Sequence, residues 1–184
     1  YDKRNQKYQT SDGFRSTYYL NLPLISDTNT LKSTYSYKYF TELYEDNITT
    51  LSVYLSAANS ISDNDIKLSE RLNIPSSRLR GFEFGKVGPK DGTDYIGGNY
   101  VSTLNLSSSL PNFLENAQNT DFLVFIDAAN VWGVDYDSTI DDSNKIRSSF
   151  GLGLDWLTPV GPLSFSISQT LSKAETDKTE SFRF

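Results

Sequence analysis

The sequence predicts an all-β chain, antiparallel and built from eight strands, and three observations carry that expectation. Apolar and polar residues alternate along one segment after another, and a period of two sends each set to its own side of a sheet. Residues that suit pleated surfaces are plentiful, with 12 Tyr and 11 Phe in 184 residues. No stripe of helical period competes with these patterns, and no apolar run approaches the roughly 20 residues of a membrane helix.

The first strand is expected at 13–23, where Phe14, Tyr18, Leu20 and Leu22 share one face against Arg15, Thr17 and Asn21. The second, at 31–44, sets Leu31, Tyr35, Tyr37, Tyr39 and Leu43 against Lys32, Thr34, Ser36, Lys38 and Glu42. Leu51, Val53 and Leu55 mark the third at 47–58, and "YVSTLNLSSSL" and "DFLVFIDAANVW" mark the fourth and fifth at 97–110 and 121–132. In the sixth, at 146–158, Phe150, Leu152, Leu154 and Trp156 oppose Ser149, Gly151, Gly153 and Asp155. The seventh, at 162–172, sets Leu163, Phe165 and Ile167 against Ser164, Ser166 and Ser168, and a short eighth is expected at 179–184.

The connections alternate in length. Tyr44 to Asn47 and Thr158 to Pro162 ("TPVGP") read as tight turns, whereas the links after the third, fifth and seventh strands are longer, polar and acidic. Outer-membrane barrels pair short periplasmic turns with longer external loops in this way. Two links fit less well: Leu24 to Thr30 is short for an external loop, and Pro111 to Thr120 is long for a turn.

Alternation alone is compatible with two architectures. In a soluble sandwich the apolar face is the core; in a membrane barrel it meets lipid, and the polar face lines a lumen. The polar faces here are made mostly of Ser, Thr, Asn and Gly, where a soluble surface would carry more Lys and Glu. Aromatics gather toward strand ends, at Tyr18-Tyr19, Tyr35 to Tyr39, Tyr54, Trp132 and Trp156, as in interfacial girdles. Both features favour the barrel.

Composition removes several function classes. With no Cys, His or Met, the chain cannot form disulfides, Cys/His metal sites or His-based triads. A net charge of −6, with no Lys/Arg cluster interleaved with aromatics, argues against a nucleic-acid partner. No basic-then-apolar opening resembles a signal peptide, so a mature form or an internal fragment is expected. The acidic segments Asp135 to Asn144 and Ser62 to Lys67 lack the order of a calcium-binding loop and read as solvated charge. Two glycosylation sequons, at Asn47 and Asn105, fall inside expected strands and carry no weight.

The long connection at about 59–97 contains "SRLRGFEFGKVGPKDGTDYIGGN". Gly81, between Arg80 and Phe82, lets the backbone bend where two surfaces approach, and Gly85, Gly88 and Gly92 allow a compact irregular path. The phosphate-binding order G-x-x-x-x-G-K-[ST] is absent. From the residues alone, a solvated surface loop and an inward-folded one both stand.

"LRGFEFGKVGPKDGTDYIGGN" resembles the RGF-bearing external loop of BamA-type outer-membrane assembly proteins. Downstream, "FLVFIDAANVWG", "IRSSFGLGLDWLTPVGPLSFSISQTLSK" and "DKTESFRF" are similar, in order, to that family's last four barrel strands. The likeness runs from about Ile74 to Phe184, and "SDGFRSTYYLNLPL" resembles an earlier strand entered through a turn. The resemblance implies a transmembrane barrel portion: the eight C-terminal strands of a sixteen-stranded barrel, with residues 1–184 its C-terminal half. Its loop at 59–97 would fold into the lumen, and its last strand would be truncated at Phe184, since the family's final strand runs past the F-x-F element.

The same resemblance gives Arg80 a role. An arginine brought into a barrel needs a carboxylate, because an unpaired charge away from bulk water is costly. Asp127, isolated in an apolar strand, is implied as that partner on the lumen face, with Gly81 and Phe82 completing the loop contact. Where the family offers a glutamate on the strand after the loop, this sequence has Asn105, whose amide can accept a hydrogen bond from Arg80 but brings no charge.

The implied function is insertion and folding of barrel proteins in the bacterial outer membrane, with no cofactor, metal or chemical step. The implied partners are outer-membrane lipid, unfolded outer-membrane protein clients and, through periplasmic repeat domains outside this chain, accessory assembly lipoproteins. A related RGF-loop transporter, for two-partner secretion or autotransporter assembly, is the alternative. An outer-membrane barrel enzyme ranks lower, since no histidine is present.

Overall fold

In a computed structural model of the protein the described residues are 1–184 except 8–9, 24–28, 45–46, 63, 111–118, 141–143 and 160. Eight strands form one sheet: β1 (Gly13–Asn21), β2 (Thr30–Tyr44), β3 (Asn47–Ser60), β6 (Tyr100–Ser109), β7 (Thr120–Trp132), β8 (Arg147–Thr158), β9 (Gly161–Ser172) and β10 (Phe182–Arg183). A two-stranded ribbon, β4 (Lys90–Asp91) and β5 (Asp94–Tyr95), sits inside the long connection between β3 and β6. Each strand of the large sheet pairs antiparallel with the next in chain order, so the wall is a simple up-and-down meander with β1 and β10 at its two ends.

All eight strands begin and end within three residues of their sequence-based bounds, but the eighth keeps only two of its six expected residues. The expected links at Leu24 to Thr30, Tyr44 to Asn47, Pro111 to Thr120 and Thr158 to Pro162 fall largely or partly outside the described residues.

The eighth strand needs correction. It was expected to begin at 179, yet only Phe182 and Arg183 pair with β9, opposite Ile167 and Ser166. Residues 178–180 are drawn away from the wall to pair with the long loop. The Glu83 amide donates to the Lys178 carbonyl at 3.0 Å, Lys178 to Lys86 at 3.0 Å and Glu180 to Gly81 at 3.2 Å.

The sequence also hid a strand-like stub at the other end. Residues 1–5 run alongside β1, with the Lys3 amide donating to the Phe14 carbonyl and Ser16 to Tyr1, both at 2.8 Å. No alternation is legible in so short a segment.

Burial decides which face of the sheet is which. Ile126, Leu152 and Ile167 are 54%, 57% and 63% exposed, whereas Ser52, Ser56, Thr103, Asn105, Ser149, Ser166 and Ser168 on the opposite face are buried. A sandwich would hide the first set and wet the second. This wall does the reverse, as a barrel facing lipid requires.

The principal apolar cluster lies between loop and wall. Ile74, Leu79, Phe82 and Val87 from the loop pack on Val101, Ala129 and Val131 of β6 and β7, with Tyr54 and Leu72 at the margin. Burying each large side chain contributes about 1.5–3 kcal/mol. The loop is therefore held to the inner wall by a small core as well as by polar contacts.

Candidate functional site

Two single-turn 3₁₀ segments, Leu68–Glu70 and Ser76–Arg78, carry the loop to its contact with the wall. Leu79 and Phe82, only 3% and 2% exposed, flank Arg80 and Gly81 and press this tetrapeptide onto the sheet. Gly81 has φ +89°, a region that side chains disfavour, and a Cβ there would come within 3.0 Å of the Ser168 hydroxyl. The glycine thus permits both the bend and the close approach.

Arg80 meets Asp127 as a two-pronged pair: Nε donates to Oδ2 and Nη2 to Oδ1, each at 2.7 Å. The Arg80 amide adds a third bond to Oδ2 at 3.1 Å, and the Asn105 amide group donates to Oδ1 at 2.9 Å. Four donors therefore converge on one carboxylate that is fully buried. A carboxylate withdrawn from water is tolerated when its lone pairs are filled in this way. The guanidinium also lies 3.4 Å from the centre of the Phe125 ring, two residues before Asp127 on the same face. Ser149 on β8 donates its hydroxyl to the Arg80 carbonyl, and Thr170 on β9 donates to the Gly81 carbonyl at 3.3 Å. Four wall strands, β6 to β9, thus touch Arg80-Gly81 or the carboxylate that receives it.

Asn105 works differently from the expectation that it accepts from Arg80. Its amide nitrogen donates to the Arg78 carbonyl at 2.7 Å and to Asp127. The reason is stoichiometric: the guanidinium fork is already satisfied by both carboxylate oxygens, and what the carboxylate still lacks is a donor. An amide supplies that donor, whereas an ionised glutamate could not.

Sequence reading missed further arginine contacts, two of them made by arginines of the loop. Arg78 donates to the hydroxyls of Ser52 and Ser36 and lies over the Tyr54 ring at 5.3 Å. Arg71 pairs with Asp135 beyond β7, and Arg147 at the start of β8 pairs with Asp177 beyond β9. The one available signal was the isolated Arg147 opening "RSSFGLGLDW"; its partner sits in "AETDKTE", where no carboxylate stands out.

The acidic connection after β7 is thus partly structural. Burial would raise the Asp135 carboxyl, but the Ile66 amide, its own backbone amide, Asn99 and Arg71 outweigh this and hold it below the ordinary carboxylate value. The hydroxyl and amide of Thr139 likewise hold Asp137 low. Residues 141–143 of this connection and Asp63 lie outside the described set. Among the described residues no group of three or more acidic side chains is placed to hold a metal ion.

Arginine forks, serine hydroxyls and a glycine bend can fix the position and orientation of the loop. The geometry is that of an anchor laid across the inside of a barrel wall.

Comparison with known proteins agrees with this architecture. The Omp85 superfamily domain matches residues 1–184. BamA, the outer membrane protein assembly factor, of Neorickettsia risticii is 26% identical over 163 residues, covering 86% of this chain and 22% of the relative. A SAM50-like protein of Schizosaccharomyces pombe is 31% identical over 138 residues, 70% of this chain and 28% of its own. The crystal structure of BamA from Haemophilus ducreyi lacking POTRA domains 1–3 superposes with a TM-score of 0.87 at 26% identity, over 99% of this chain and 39% of that one. The chain spans under a third of the length of these curated relatives. It belongs to the Omp85 superfamily.

Proposed function

We propose that this chain is the C-terminal half of the barrel of a bacterial outer-membrane protein assembly factor, which inserts and folds β-barrel clients without a chemical step. The observation that carries the reading is the Arg80–Asp127 fork, which anchors a long loop across the polar inner face of a lipid-facing wall. The names of the relatives point the same way, since those of Neorickettsia risticii and Neisseria meningitidis are BamA assembly factors.

A rigid loop–wall unit leaves the sheet edge as the place where work is done. The unpaired amides and carbonyls of an edge strand can template an incoming strand, which is the step an unfolded barrel protein needs. No cofactor enters this scheme. Outer-membrane lipid would meet the exposed Ile126, Leu152 and Ile167, and accessory lipoproteins would dock on periplasmic domains beyond this chain. A transporter of the same superfamily would use the lumen for passage, and the assembly-factor names of the relatives favour insertion over it.

The test is reconstitution of the complete protein in lipid vesicles, with a urea-unfolded eight-stranded barrel as client. The client should reach its heat-modifiable folded form at least about tenfold faster than in empty vesicles, a barrier change of about 1.4 kcal/mol. Equal rates would overturn the proposal.

A further inference from the structure

The most deeply buried ion pair among the described residues is not the one the loop motif announces. Arg147 and Asp177 are both fully buried, joined by Nε to Oδ2 at 2.9 Å and Nη2 to Oδ1 at 3.1 Å. Asp177 also accepts the Ala174 amide at 2.7 Å and, from the long loop, the Gly88 amide at 3.1 Å. Arg147 spends a further nitrogen on the Asn130 side chain at 2.8 Å and the Lys145 carbonyl at 3.0 Å. One ion pair therefore joins the outer ends of β7 and β8, the loop, and the connection that leads into the last strand.

The consequence appears in the next residues of the chain. Immediately after Asp177, residues 178–180 pair with loop residues 81–86, with Thr179 bridged to Phe82. Only from Ser181 does the chain rejoin β9, where the Ser168 amide donates to the Ser181 carbonyl at 2.9 Å. Continued in the register of Phe182 with Ile167, Thr179 would stand opposite Thr170. In the structure Thr170 instead turns its hydroxyl to the Gly81 carbonyl. The wall ladder between β9 and β10 is thus much shorter than its sequence allows.

We propose that Arg147 and Asp177 are positioning residues that withhold residues 177–180 from the wall, so that the final strand pairs with β9 only in its last part. The pair gains this hold because removing one member strands a buried charge, which strongly disfavours the present arrangement over one that frees the segment. With Asp177 released, the backbone groups of 178–180 can exchange their loop partners for those of Gln169 to Leu171. The link to client entry at this strand rests on the function proposed above; the pairing claim does not.

Because the chain has no cysteine, the register can be read by an engineered disulfide. In the complete barrel, the Thr170→Cys/Thr179→Cys pair should oxidise poorly, and adding Asp177→Asn should raise the cross-linked fraction by about tenfold or more. Equal yields with and without Asp177→Asn would overturn the proposal. If Asp177→Asn gives no heat-modifiable barrel, Arg147→Lys, which keeps the charge but loses the fork, is read in the same way. The unsubstituted protein gives an independent test. The Lys178 and Glu180 amides should exchange with solvent together with Glu83, and exchange at the rate of an open loop would also overturn it. Client folding enters none of these readouts. A rise in cross-linking in a barrel that inserts no client would keep the positioning role and sink the function, and unchanged cross-linking in an active barrel would do the reverse.

Discussion

The two buried forks, Arg80 with Asp127 and Arg147 with Asp177, use the same chemistry in opposite directions. In the first the arginine belongs to the loop and the carboxylate to the wall; in the second the wall supplies the arginine and a connection supplies the carboxylate. The Arg80 side chain keeps 19% exposure, while both members of the second pair have none. The first anchors a loop in the middle of the wall and is supported by Asn105, Ser149 and the Phe125 ring. The second gathers four separate segments at the outer rim. Burial thus does not rank the two by their visibility in the sequence: the more deeply buried pair was the one that no motif announced.

If that comparison is right, Arg147→Ala should have the largest effect. It leaves Asp177 buried with no countercharge, a loss of about 3–5 kcal/mol, and should lower the temperature at which the barrel loses its fast, unboiled gel mobility. Arg80→Ala should be somewhat milder for the whole barrel, because water can reach part of the site. Its clearest sign should be faster proteolysis between Lys67 and Asp94. An unchanged digest would mean that the apolar contacts of Leu79 and Phe82 hold the loop unaided.

Gly81→Ala should cost about 1–3 kcal/mol through backbone strain alone, and the same thermal assay should show it even though no charge is touched. Asn105→Leu removes one of four donors to Asp127, a loss of about 1–3 kcal/mol; a neutral result would show that the fork alone satisfies the carboxylate.

The smallest effect should be at Asp135. Its carboxyl lies below the ordinary value in the folded protein, so its contribution is present above the unfolded-state carboxylate pKa and is lost as pH falls through the lower folded value. Hydrogen exchange at the Ile66 amide, which donates to Asp135 at 2.7 Å, should therefore accelerate on acidification below about pH 4.

Much of this was legible from alternation and much was not, for physical reasons. A period-two pattern such as Phe150 to Trp156 reports a two-faced strand whatever lies on each side, so strand positions could be read directly. The facing required burial: Ile126 outside and Asp127 inside are neighbours in sequence, and only the packed loop shows which of them is hidden. Arg80 and Asp127 could be paired because the loop motif carries a family resemblance and Asp127 interrupts an apolar run. Asp177 is one acidic residue among several in a polar connection, and its importance depends on a partner 30 residues away. The last strand was misjudged for the same reason, since 179–180 has strand-like chemistry but finds its backbone partners on the loop. Asn105 was located correctly and given the wrong polarity, because its role depends on how many donors Asp127 already has.

The central claim is that the loop anchored by Arg80 on Asp127 is a working part of a client-folding barrel. A double-mutant cycle in the vesicle assay tests it most directly, comparing client folding rates for Arg80→Ala, Asp127→Ala, the double variant and the parent. The two residues should act as one unit, so each single change should slow client folding by about tenfold and the double should be no slower than the worse single. Single variants that fold clients at the parent rate, or losses that simply add in the double variant, would contradict it.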